Sequence, residues 1–385
     1  MTEQPHKQRP KLLVVADTYH PKVDGTLKFI DEFLKRASAD FEISLLVPDF
    51  DGKNKREKDV TFIKVSRLFH LSEYNSMRLS FSNLRKIRRA VKEADCVFVQ
   101  GPAMISYLSV LYAHRYKKKV VFYTHVLSWE VFAKFVPSYL RWLFHILLKK
   151  LSLYVFNRCD EILVPYHTLR DELQKEGVKA TMHIAKLGVD IDLFNQTNKK
   201  LYYKQKFGLD PERTVIGYVG RISREKNVQV LIDAFRKLEN QERLTLLLVG
   251  NGPEELKKEL DLPKNCKVTG FVTNVHDYLK AMDIFVMPSL TETTSLATLE
   301  AMSTGLPVVV TKVGFIQDYV VKDHTGIFFP KNSATMLSIQ LKKLWDDPVL
   351  RAKLGENARK TVAYSFSWER SVNRIRRLLL KLIYS

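Results

Sequence analysis

A repeated alternation restricts this chain more than any other feature: a short apolar run, a polar residue or two, a stretch with helical spacing, then another apolar run. KLLVVAD (11–17), FEISLLVPD (41–49), CVFVQG (96–101), KVVFYTH (119–125) and EILVP (161–165) have the unbroken apolar character of strands buried on both faces of a parallel sheet. Between the first two, FIDEFLKRASAD places its apolar residues at helical intervals. The chain turns polar at NQTNKK (195–200), and the pattern then restarts. TVIGYVGR (214–221), LTLLLVGNG (244–252), CKVTGFV (266–272), DIFVMPS (283–289), PVVVT (307–311) and GIFFP (326–330) read as a second set of strands. The expected fold class is α/β, with two doubly wound domains and a deep cleft between them, the ligand lying at the carboxyl ends of the strands. The expected boundaries are 1–195, 196–365, and a final basic amphipathic helix, 366–385, returning to the first domain.

With 385 residues, 45% hydrophobic and 27% charged, the chain is long enough for two cores and too apolar to be disordered or collagenous. Its three cysteines, Cys96, Cys159 and Cys266, are too few and too dispersed for a disulfide framework or a zinc site, which suits a reducing cytoplasmic setting. The opening MTEQPHKQRPKLL is polar, so no signal peptide is expected, and no run is apolar enough for a membrane span. Any meeting with a membrane is expected to be peripheral, at the inner face.

The net charge of +20 is concentrated. Residues 53–158 hold 21 Lys+Arg against 6 Asp+Glu, or +15 of that total. Such a field attracts phosphate-rich or anionic lipid surfaces. Within it, SYLRWLFHILLKKLSLYVF (138–156) puts Arg141, His145 and Lys149 on one stripe, with Trp142, Leu143, Phe144, Leu147 and Leu148 over the other faces. Trp129, Phe132, Phe135 and Tyr139 extend the aromatic content upstream. Aromatics with basic residues and no acids describe an interfacial helix, much of which should also pack in the core of the first domain. Arg67 to Lys92 holds seven basic residues and one acid around Phe69, Leu71, Met77, Leu79 and Phe81. It reads as a mobile membrane-touching segment followed by a basic helix.

Four motifs point to chemistry. In PSLTETTSLATLEAMSTGLPVVVT (288–311) a strand ends, a loop carries Glu292, and a helix opening near Thr294, Ser295 and Leu296 runs through Glu300. The exposed amides of such a helix start attract anions, and the two carboxylates can accept hydrogen bonds from sugar and ribose hydroxyls. In GYVGRISREKN (217–227), Gly220 closes a strand, and Arg221 and Lys226 can converge on a diphosphate, one as a fork and the other as a point charge. In DTYHPKVDGTLKF (17–29) the Asp24-Gly25 turn leads into a helix and lets backbone approach a phosphate or an acceptor. His125 ends a strand, where it can contact substrate.

Taken as an ordered set, these segments resemble the retaining family 4 glycosyltransferases. The resemblance spans DTYHPKVDGTLKFIDEFLKR, the YTH element, KLGVDIDLF (186–194), GRISREKN, LLLVGNGPEE, TGFV with Val272, and the Glu-x7-Glu segment. It implies a GT-B fold of two Rossmann-like domains and a UDP- or GDP-linked sugar as donor, with retention at the transferred carbon and no obligatory metal or other cofactor. By the resemblance, Arg221 and Lys226 neutralise the donor diphosphate, Glu292 grips the transferred sugar, and Glu300 holds the ribose. Gly25 lies near phosphate and acceptor, and His125 near sugar and acceptor. Asp190-Ile191-Asp192 matches the family's interdomain hinge and not a metal-binding triplet. The basic, aromatic first domain is similar to that of lipid-directed members such as phosphatidylinositol mannosyltransferases and monoglucosyl-diacylglycerol synthases, which implies an anionic membrane surface and a lipid acceptor. The chain departs from many relatives in having a single glycine in its first loop, Leu187 in KLGVD, and Thr-Thr-Ser in place of a glycine after Glu292.

A soluble sugar, sugar phosphate or polysaccharide acceptor is the alternative with the same chemistry. A basic nucleic-acid-binding protein would use the charge but leave two nucleotide-type sheets without a task, and no nucleic-acid module is recognisable. No nucleic-acid partner is therefore expected.

Overall fold

A computed structural model describes residues 9–21, 25–50, 57–71, 74–133 and 136–385. The chain forms two compact units, Met1–Lys186 together with Glu369–Ser385, and Leu187–Trp368.

The first unit is built on strands β1 (Lys11–Ala16), β2 (Glu42–Asp49), β3 (Val60–Leu71), β4 (Tyr74–Met77), β5 (Cys96–Gln100), β6 (Lys119–Tyr123), β7 (Glu161–Val164) and β8 (Thr181–Ile184). Their order across the sheet is β4-β3-β2-β1-β5-β6-β7-β8, parallel throughout except for the antiparallel β3–β4 pair. The apolar runs are unbroken because both faces are covered. On one face Phe29 and Phe33, from the helix Gly25–Ala37, meet Phe98 and Tyr123. On the other, Tyr107 and Phe156 pack against Phe122. The second face also holds three buried hydroxyls. Tyr107 Oη lies 2.9 Å from Ser128 Oγ and 2.7 Å from Ser152 Oγ, and the two serines are 2.8 Å apart. This triangle ties the helices Met104–Arg115, Ser128–Ala133 and Ser138–Phe156 to one another.

The second unit carries β9 (Thr214–Val219), β10 (Leu244–Val249), β11 (Cys266–Val268), β12 (Ile284–Met287), β13 (Val308–Thr311) and β14 (Gly326–Phe329). The order β11-β10-β9-β12-β13-β14 is parallel at every step. The chain therefore winds outward from β9 in one direction, returns, and winds outward from β12 in the other. The crevice at the carboxyl ends of β9 and β12 is the switch point at which such sheets bind ligands.

All the strands expected from apolar runs are present. β3, β4 and β8 were not legible as strands. β3 and β4 fall where a mobile segment is expected, and the basic helix after them is found at Phe81–Glu93. β8 is a short edge strand, in which His183 Nε2 donates to the Glu161 carboxylate at 2.7 Å. Phe135 and residues 53–56 lie outside the described residues, as do the side chains of Phe69 and Leu71.

The division between units falls earlier than the polar stretch at 195–200. Leu187 to Phe194 belong with the second unit because their backbone is bonded there. Val189 N donates to the Phe366 carbonyl at 2.6 Å, and Ser303 Oγ donates to the Phe194 carbonyl at 2.7 Å. From Glu369 the final helix, Trp368–Tyr384, lies in the first unit. Arg376 pairs with Asp40, Ser371 Oγ donates to the Lys186 carbonyl, and Val372, Ile375 and Leu379 are buried. Removing the buried Leu379 side chain as Leu379→Ala is expected to lower the stability of the first unit by about 2–4 kcal/mol, read as a lower urea midpoint with an unchanged slope.

Candidate active site

The loop after β9 and the loop after β12 meet at the switch point of the second sheet. Lys226 Nζ lies 2.7 Å from Glu292 Oε1, and the same oxygen accepts a 2.8 Å hydrogen bond from Ser289 Oγ. The Glu292 carboxylate is nearly buried and Lys226 largely so. A carboxylate in that setting requires a paired cation and a donor, and both are present. Leu290 N also donates to the Glu225 carbonyl at 2.8 Å, which joins the two loops through backbone. Arg221, on the same loop as Lys226, is half-exposed and pairs with Glu225 at 3.1 Å. Glu225 and Ser289 are site residues that the sequence reading missed; each lies inside a motif already singled out. Tyr218 donates to the Arg221 carbonyl at 2.8 Å, and burial together with the Glu292 and Glu225 charges pushes its hydroxyl pKa up.

Gly220 follows β9 with φ +152, and Gly250 follows β10 so close by that a Cβ on Gly250 would lie 1.9 Å from the Gly220 carbonyl oxygen. Only glycine permits that approach. Val272, half-buried, follows the neighbouring Gly250–Gly270 bridge in the loop after β11.

The helix that follows Glu292 spans Leu296–Ser303. Its cap, Ser295, has φ 53 and ψ 76, the left-handed region, which serine seldom occupies. The turn is held from outside: Phe315 N donates to the Thr293 carbonyl at 2.9 Å, and Tyr319 Oη donates to the Thr294 carbonyl at 2.6 Å. Gly314 is required here, since with φ +52 any Cβ would lie 2.1 Å from the Glu292 carbonyl oxygen. As at any helix start, the first amides have no acceptor within the helix and face outward as an anion-binding edge. Two hydroxyls at this place are buried without a hydrogen-bond partner, Thr294 Oγ1 and, beside Lys226, Ser223 Oγ. Buried hydroxyls without a partner are uncommon in a folded protein. Glu300 is buried on the second turn of the helix.

In the first unit, His125 follows β6. Its ring lies against Tyr123 with centroids 4.2 Å apart, and its Nε2 is 3.4 Å from Gln100 Oε1. The residue is half-buried overall, and Nδ1 is sealed from solvent and unpartnered, as is Nε2 of Gln100. Burial pulls the His125 pKa down to about 4, so the ring is neutral at physiological pH. Gln100 ends β5, and the polar ending of CVFVQG is the signal that could have found it. Gly25 opens the helix Gly25–Ala37; Asp24 and the rest of the preceding loop, residues 22–24, lie outside the described residues. Asp190 is occupied with backbone, accepting from the amides of Asp192 at 3.2 Å and Leu193 at 2.9 Å, which closes a turn. Among the described residues no group of three or more His, Cys, Asp or Glu is placed to hold a metal ion, and no helix is long and apolar enough to cross a membrane.

The two Rossmann-like units are those of the GT-B glycosyltransferases, and comparison with known sequences agrees. Residues 23–193 match Glycosyltransferase Family 4 and residues 200–361 match Glycosyl transferases group 1, so the chain belongs to the glycosyltransferases. Among curated relatives, N-acetyl-alpha-D-glucosaminyl L-malate synthase of Bacillus anthracis is 27% identical over 59% of this chain and 61% of its own length. The chain thus spans about three fifths of that relative. Alpha-monoglucosyldiacylglycerol synthase of Acholeplasma laidlawii is 24% identical over 90% of both chains. Among solved structures, Anabaena HepE in complex with UDP superposes with a TM-score of 0.78 at 18% identity, covering 96% of this chain and all of that one, and HepE has also been solved with UDP-glucose.

The His125 environment fixes a pH response. The unfolded ring takes up its proton near pH 6.5 and the folded ring only near 4, so between those values the unfolded chain binds more protons and stability falls as pH drops. The loss through this window is expected to be on the order of 1 kcal/mol, since the partly exposed ring is screened by solvent. His125→Gln should flatten that part of the stability-versus-pH curve in denaturant titrations.

Proposed function

We propose that this chain transfers a hexose, glucose or mannose, from a UDP- or GDP-linked donor to a lipid acceptor at the inner surface of the cell membrane, with retention of configuration. The observation that carries the reading is the Lys226–Glu292 pair at the β9–β12 switch point, flanked by the unpartnered Thr294 and Ser223 hydroxyls and the helix start at Leu296. In this reading Lys226 and Arg221 take up the charge that develops on the departing diphosphate, and the first amides of the helix Leu296–Ser303 assist them. Glu292 accepts hydrogen bonds from the transferred sugar, and Glu300 from the ribose. The charge neutralisation is supplied by side-chain cations and amide dipoles, so the reading needs no metal. On the acceptor side, neutral His125 offers a hydrogen bond and not a charge, as contact with a sugar or acceptor hydroxyl requires.

The HepE complexes support UDP as the nucleotide, and the name of the Acholeplasma relative supports a diacylglycerol-type acceptor. The concentration of positive charge in residues 53–158 supports the membrane surface. A soluble acceptor is the second reading, favoured by the malate in the name of the Bacillus anthracis relative.

The deciding experiment is a hydrolysis and transfer screen with UDP-glucose, GDP-mannose and related donors, run with and without lipid extract. Donor turnover that rises with extract and yields a labelled lipid is expected; turnover only with a water-soluble acceptor would select the second reading. Lys226→Ala and Glu292→Ala are each expected to lower turnover about 10²-fold or more while circular dichroism stays unchanged, by the size of effect seen when one transition-state contact is removed. Near-normal rates in either variant would refute the assignment.

A further inference from the structure

The hydroxyl triangle fixes how far one helix extends beyond its domain. Ser152 lies level with Tyr107, which is in the first turn of Met104–Arg115 and so at the carboxyl edge of the first sheet. Ser138–Phe156 runs back toward β7, so the residues before Ser152 lie progressively beyond that edge. At 1.5 Å per residue, Trp142 is about 15 Å further out. The sequence reading expects much of this helix in the core. The structure buries only Ser152, Val155 and Phe156 of this helix. Tyr139, Trp142, Leu143 and Leu147 are exposed, Trp142 to 74%. Phe81, 83% exposed, opens the helix Phe81–Glu93, which packs beside Met104–Arg115 and also begins at this edge.

An apolar projection of this size requires a partner. The charge pattern says which: residues 131–158 contain no Asp or Glu, and Arg141 and Lys150 are exposed among the apolar side chains. A second copy of the chain would bring these cations against themselves. An anionic bilayer offers hydrocarbon for the leucines, an interface for Trp142 and Tyr139, and phosphates for the cations. We propose that the projecting half of Ser138–Phe156 is a bilayer-docking surface that lies among anionic headgroups, with Trp142, Leu143 and Leu147 reaching the acyl boundary. The inference deepens the lipid-acceptor reading and rests on it. It adds an orientation: the edge of the first sheet that carries His125 faces the lipid.

Trp142 provides its own reporter, because of the four tryptophans Trp129 and Trp368 are buried and Trp345 is half-buried in the second unit. Full-length protein is mixed with vesicles of phosphatidylcholine, alone or with phosphatidylglycerol. With the anionic vesicles we expect a blue shift of tryptophan emission and quenching by brominated acyl chains. Trp142→Phe should abolish both signals while co-sedimentation persists, and Leu143→Ser with Leu147→Ser should lower the vesicle-bound fraction at least about tenfold. The surface assignment is overturned if the double variant binds as well as the parent chain. It is also overturned if binding ignores phosphatidylglycerol, or if gel filtration shows a dimer that the double variant disperses and vesicles do not compete with. Vesicle binding that behaves as expected, without transfer to any lipid, would uphold the docking surface and refute the lipid-acceptor reading.

Discussion

A parallel sheet delivers the carboxyl end of every strand, and the first turn of every returning helix, to the same edge. In the second unit this brings the loops after β9 and β12 together, so that residues as distant in sequence as Lys226 and Glu292 share a proton-bridging distance of 2.7 Å. In the first unit it places His125, Gln100 and the start of Gly25–Ala37 along one edge, beside the emerging ends of three helices. Chemistry and surface both accumulate there because no other edge combines free amides with strand-end side chains.

Charge decides how the loops of the second unit are arranged. A carboxylate as buried as Glu292 is costly unless a cation and donors surround it, and Lys226 and Ser289 meet that need. The pair thereby ties the loop after β9 to the loop after β12.

Both sheets were legible in sequence wherever a strand is covered on both faces, as in LLVVA or LTLLLV, because burial alone dictates apolar side chains. β8 and β4 escaped because edge strands tolerate polar residues such as His183, and β3 because it carries exposed polar residues such as Lys64. The site motifs were legible at strand ends, but their pairing was not. Nothing in the spacing of Arg221 and Lys226 shows that one pairs with Glu225 and the other with Glu292. The interfacial character of 138–156 was visible in composition. Its projection was not, since it depends on which turn of the helix the Tyr107 hydroxyl meets.

Ser295 occupies a backbone region in which its Cβ costs about 1 kcal/mol. In return its hydroxyl bonds Thr298 Oγ1 at 2.8 Å, a link glycine cannot make. The chain thus exchanges pliability for stiffness at the turn between Glu292 and the helix Leu296–Ser303. A turn held in this way keeps one shape and does not adapt it to what it meets.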